Sequence, residues 1–68
     1  MDKTIVADKL RTLRKRKKMT VTDFAKAIGI SQSAVSMYES GIRMPRDDIK
    51  IKIAKFYHTT VQTIFFTN

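Results

Sequence analysis

The chain has 68 residues, with 14 Lys and Arg against 6 Asp and Glu, a formal charge of +8, one His and no Cys. That balance favours a polyanionic partner, and the lack of Cys excludes disulfides and thiolate metal ligands. No apolar run reaches the length of a membrane span and the first residues carry no secretion signal, so a single cytoplasmic domain over 1–68 is expected, small but with 43% hydrophobic residues to bury.

The first predicted helix runs from a Thr4 cap to about Lys17, with Val6, Leu10 and Leu13 as its apolar stripe. It ends in a basic run, Arg14 to Lys18, that suits a helix C-terminus or a phosphate backbone. Thr20 can cap the second helix in a capping-box relation with Asp23. Phe24 and Ile28 face one way along it, and Ala25 leaves room for another backbone to approach. Gly29 ends it where a left-handed residue costs least. Ser31 caps the third helix, Val35 and Tyr38 form its inward stripe, and Gly41 closes it. That leaves Gln32, Ser33, Ser36 and Met37 outward or at its leading end.

Pro45 stops any helix through Met44. A fourth helix starts at Arg46 or Asp47, with Asp47 and Asp48 at its positive end. Ile49, Ile53, Phe56 and Tyr57 supply its inner face, and His58 and Thr59 break it. Thr60 caps a short fifth helix carrying Val61, Ile64 and Phe65. Five helices with no β pattern make a compact all-α domain.

Residues 21–41 therefore read as two short helices joined by a tight turn, the second with an outward polar face. In a basic chain this is the layout of a helix-turn-helix DNA reader. Blander readings exist for each part. Gln32 and Ser33 alone are ordinary surface polars, Met37 is also a gap filler, and Tyr38 is core. His58 is a helix-end residue, since no Cys or second His exists to share a metal. No Gly-rich phosphate loop or Cys nucleophile suggests an enzyme, and no cofactor or metal is expected.

The residues Leu10-Arg11-x-Leu13-Arg14, Met19-Thr20, Phe24-Ala25-x-x-Ile28-Gly29-Ile30-Ser31-x-Ser33-x-Val35-Ser36-x-Tyr38-Glu39-x-Gly41, Arg43 and Pro45 resemble the Xre family of helix-turn-helix regulators. So do Ile53-Ala54-Lys55 and Ile64-Phe65 further on. This family includes the phage Cro and repressor DNA-binding domains. The likeness extends from about Val6 to Phe66. It implies the five-helix, lambda-repressor-like DNA-binding fold, with the third helix in the major groove and operator binding by a homodimer.

The resemblance also implies roles. Gln32, Ser33, Ser36 and Met37 match base-contacting positions, where Gln32 can pair with an adenine edge and Met37 can lie on a thymine methyl. Arg43 matches a position that contacts the phosphate backbone. Ser31, Lys17, Lys18 and either Thr20 or Thr22 are further phosphate candidates. Arg14 and Glu39 match an ion pair between the first and third helices, and Ala25, Gly29 and Val35 match structural positions. Three departures stand out. Val21 replaces a Gln that in many relatives buttresses the reading helix, His58 replaces a Gly after the fourth helix, and Arg46 replaces a small cap.

The expected function is a sequence-specific regulator, a repressor, acting on a palindromic double-stranded operator. No membrane contact and no small-molecule ligand are expected. The rival from another class is a protein-interaction module, such as an antitoxin whose tail Ile64-Phe65-Phe66 masks a toxin. Core burial of Ile64 and Phe65 would leave that rival only Phe66.

Overall fold

The computed structural model describes residues 2–66. Five helices follow in order: α1 (Lys3–Arg16), α2 (Val21–Ile28), α3 (Gln32–Glu39), α4 (Asp47–Phe56) and α5 (Val61–Phe65). Among the described residues there is no strand.

Local chemistry sets most of the boundaries. Thr20 and Asp23 close a full capping box at α2: Asp23 N–H donates to Thr20 Oγ1, and Thr20 N–H donates to the Asp23 carboxylate, both at 3.0 Å. The Thr20 backbone N–H first, and then the Thr20 hydroxyl, hold the Asp23 carboxyl below its ordinary pKa. Gly29 ends α2 at φ 83°, and the N–H groups of Gly29 and Ile30 share the Ala25 carbonyl. Ser31 caps α3 through Ala34 N–H, and Thr60 caps α5 through Thr63 N–H.

The start of α1 differs from the sequence reading. Asp2, not Thr4, is the N-cap, and its carboxylate accepts from Thr4 N–H at 2.8 Å. Both residue types cap well. The ionised carboxylate gains more at the positive end of the helix, so it takes the cap and Thr4 becomes helical. At α4 the cap residue is Arg46, with no side-chain cap bond. The turn after α4 needs a left-handed residue, and His58 supplies it at φ 56°.

The core is built from one face of every helix. Ile53, Phe65 and Val35 are its most enclosed large side chains, and Phe24 and Leu10 pack with them. Ile64 is buried as well, so the last helix spends its apolar residues on this domain and leaves Phe66 exposed. Phe56 and Tyr57 are only half-buried. Phe56 meets Phe24 edge-on and Tyr57 stacks on it, each with ring centroids 5.8 Å away, which makes them the rim of the core rather than its floor. Lys50 is buried, which its charge did not suggest. Its ammonium lies 3.6 Å from the Asp47 carboxylate and within 5.2 and 5.8 Å of the Phe66 and Phe65 ring centres.

Tyr57 Oη is buried without a hydrogen-bond partner. Burial pushes this phenol up to about 12 from 10.0, with the Glu39 charge adding to the shift. The folded protein therefore disfavours the phenolate. Tyr57 contributes stability that is complete below pH 10 and is lost as pH rises to about 12. Tyr57→Phe is expected to leave neutral stability unchanged or slightly raised, because the missing hydroxyl makes no bond. It should also flatten the alkaline fall in stability. Denaturant melts of both proteins at neutral pH and across this alkaline window check the pair of effects. A clear loss at neutral pH would mean that the hydroxyl is bonded after all.

Candidate nucleic-acid interface

The α2–α3 unit presents α3 through two constraints. At its leading end, the left-handed Gly29 turns the chain sharply, and the partly buried Ile30 packs against the core beneath the turn. At its trailing end, α1 grips Glu39. Arg14 Nε and Nη2 donate to the two carboxylate oxygens at 2.8 and 2.9 Å, and Arg14 Nη1 donates to the Met19 carbonyl at 2.8 Å. These side chains are only 12% and 9% exposed, so the pair is a buried bidentate one. The hydrogen bond from Arg14 to Glu39 holds this guanidinium in its charged form, against the desolvation that burial brings. The ion pair expected from sequence is present.

Arg11, to which the sequence assigned no role, is the second grip. Its Nη1 donates to the Glu39 main-chain carbonyl at 2.8 Å, and its Nη2 is paired with the Asp8 carboxylate. Its position two residues before the end of the apolar stripe gave no hint of this, because the contact joins residues 28 apart.

Between these anchors, Val35 and Tyr38 turn inward while Gln32, Ser33 and Ser36 are exposed and Met37 is partly exposed. Eight residues make a rod about 12 Å long, and a helix about 10–12 Å across fits a major groove of similar width. The single acid of α3 is Glu39, which is buried against Arg14. The other five carboxylates are engaged elsewhere. Asp2 and Asp23 cap helices, Asp8 pairs with Arg11, Asp47 faces Lys50, and Asp48 faces Arg46. The outward side of α3 is thus polar and free of negative charge.

Other candidate positions are spread around this rod. Arg43 is exposed in the loop after α3, and Lys17 and Lys18 are exposed after α1. Lys17 is not a free cation, since its ammonium lies 5.1 Å over the Phe56 ring. Lys18 holds a left-handed conformation at φ 56°. Thr20 and Ser31 use their hydroxyl oxygens as cap acceptors, and each keeps a proton to donate. Thr22 is partly buried. Val21 packs against the core, so an apolar side chain fills the site of the absent Gln buttress. Ala25 and Val35 are buried at the helix contacts.

The Helix-turn-helix family profile, HTH_3, matches residues 10–64. The chain belongs to this family. The helix-turn-helix domain is 35% identical, over 57 residues, to a protein of Methanoregula boonei provisionally named an HTH-type transcriptional regulatory protein. That match takes in 84% of this chain but 18% of the relative. Among solved structures, the clp gene regulator ClgR from Corynebacterium glutamicum matches with a TM-score of 0.82 at 18% identity, over 97% of this chain and 70% of the other. An HTH_3 family transcriptional regulator from Vibrio cholerae matches with a TM-score of 0.81 at 26% identity, over 97% of this chain and 37% of the other. The helix-turn-helix domain thus shares its whole fold with proteins named as regulators, and spans under a fifth of the Methanoregula protein.

Among the described residues, no group of three or more His, Cys, Asp and Glu side chains could hold a metal ion. Among these residues, too, no helix is long and apolar enough to cross a membrane. An open groove of about 420 Å³ between α1 and α5, lined by Leu13, Arg16, Tyr57 and Ile64, takes no residue from α2 or α3.

Proposed function

We propose that the domain is a sequence-specific double-stranded DNA-binding module of a transcriptional regulator, and that it acts as a repressor in the cytoplasm. One observation carries the reading: the exposed side of α3 is polar and acid-free, and the six Asp and Glu side chains are all engaged away from it. A surface of that kind can approach a polyanion without repulsion and still offer hydrogen bonds to base edges.

In this mechanism the positive charge draws the domain to a duplex and releases counterions. α3 then enters the major groove. Gln32 leads with a bidentate amide, Ser33 and Ser36 add short hydroxyl contacts, and Met37 lies on a thymine methyl. Arg43, Lys17, Lys18, Thr20, Thr22 and Ser31 hold phosphates and fix register without reading sequence. A homodimer would span two half-sites about 34 Å apart, one helical turn, on a palindromic operator. The domain would act by occupying a promoter, as a binding module and not an enzyme. Against the tail-masking alternative, Ile64 and Phe65 are already committed to this core.

Selection of bound sites from random duplex DNA tests the proposal. It should return a preferred sequence with twofold symmetry and half-sites one turn apart. Recovery of no preferred sequence would reject it. Arg43→Ala should weaken all duplexes alike and flatten the dependence of log K on log salt by about one unit. An unchanged slope would remove Arg43 from the phosphate contacts.

A further inference from the structure

A helix end leaves four carbonyls without helical partners, and in α3 these belong to Ser36, Met37, Tyr38 and Glu39. Three are closed locally. Ser36 accepts from Ser40, Met37 from Ile42 and Arg43, and Tyr38 from Gly41. Among the described residues, Glu39 is the one of the four held from another helix, by Arg11 at 2.8 Å. The cation sits where the helix dipole is negative. Its second arm is pinned by Asp8 one turn back on α1, so the fork is held at both tips.

The two grips from α1 differ in kind. Arg14 holds the Glu39 carboxylate, so it reaches the helix through the side-chain torsions of Glu39. Arg11 holds the main chain itself. α3 packs on α1 and α2, and the α2 end is already fixed by the Gly29 turn. What Arg11 adds at the trailing end, beside the Arg14–Glu39 pair, is a restraint on the main chain against swinging. A swing about that turn would carry the outward side chains of α3 across the groove they enter.

We propose that Arg11 is a positioning residue for base reading: by holding the Glu39 carbonyl, it sets the angle at which α3 leaves the domain. This rests on the DNA-binding reading above. In this reading both arms of Arg11 are taken by Glu39 and Asp8 and not by a base or phosphate, so its loss costs discrimination more than general attraction. Asp8 serves the same end more weakly, because its pair with Arg11 is exposed.

The test measures affinity for the selected duplex and for random duplex, in the wild type, Arg11→Ala, Arg11→Lys, Gln32→Ala and the Arg11→Ala/Gln32→Ala pair. Arg11→Ala should lower the ratio of the two affinities roughly fivefold, the worth of one hydrogen bond. The salt slope on random duplex should stay unchanged. Arg11→Lys should keep random-duplex affinity without restoring the ratio, since an ammonium lacks the fork. In the pair, Gln32→Ala should cost less than it does alone, because the misplaced amide has less to lose. A protein that is only less stable would lose affinity for both duplexes alike and leave the ratio intact. An unchanged ratio, additive effects in the pair, or a salt slope reduced by about one would each overturn the proposal. If the wild type ranks no sequences, the DNA reading itself fails. Amide exchange in the free protein then judges the clamp: faster exchange at Ser40 to Ile42 in Arg11→Ala upholds it, and unchanged exchange overturns it.

Discussion

Glu39→Ala is expected to destabilise the domain by about 3 kcal/mol and to lower Tm by roughly 10–25 °C. The size follows from what is left behind. Glu39 is 8% exposed, and its carboxylate takes two of the Arg14 donors. Truncation leaves a guanidinium that burial has already stripped of water, with only the Met19 carbonyl as a partner. An unpaired buried charge costs far more than the pair itself contributes, which is why removing one partner is the harsher change. Glu39→Gln keeps the shape and one acceptor, so its loss should be smaller. Thermal or denaturant melting reads both variants. A melt unchanged by Glu39→Ala would mean that Arg14 finds water or another acceptor, and that α1 does not lock α3 through this pair.

The second large effect concerns reading, not folding. Gln32→Ala should cost about 1–3 kcal/mol on the preferred duplex and relax the preference at one base pair. Gln32 is exposed at the first position of α3, and its backbone stays capped by Ser31 whichever side chain it carries. The fold should therefore tolerate the change with little shift in melting. Affinity measured on the preferred site, on variants at each base pair and on random duplex separates the outcomes. Equal weakening on all of them would make Gln32 a general contact rather than a base reader.

The parts of the fold that were legible in the sequence are those written in short-range chemistry. The caps Thr20, Ser31 and Thr60 bond to N–H groups three residues ahead, and Gly29 answers a steric demand of its own backbone. Spacing separated the inward Val35 and Tyr38 from the outward Gln32, Ser33 and Ser36 for the same reason. The cap of α1 falls at Asp2 and not at Thr4 because two good cap residues stand two apart, and their competition is settled by electrostatics rather than by pattern. The buried Lys50 and the grip of Arg11 were invisible for a different reason. A long cationic side chain looks solvated until distant partners are in place, the rings of Phe65 and Phe66 in one case and the carbonyl of Glu39 in the other. Arg14 and Glu39 were found only because their pairing belongs to a family pattern.

The central claim is that the outward side of α3 meets base edges in the major groove. Intermolecular nuclear Overhauser contacts between the labelled domain and its selected duplex address it most directly. The account predicts contacts from the side chains of Gln32, Ser33, Ser36 and Met37 to major-groove base protons, thymine methyls among them. A duplex held against another face of the domain, with these four side chains left in solvent, would contradict it.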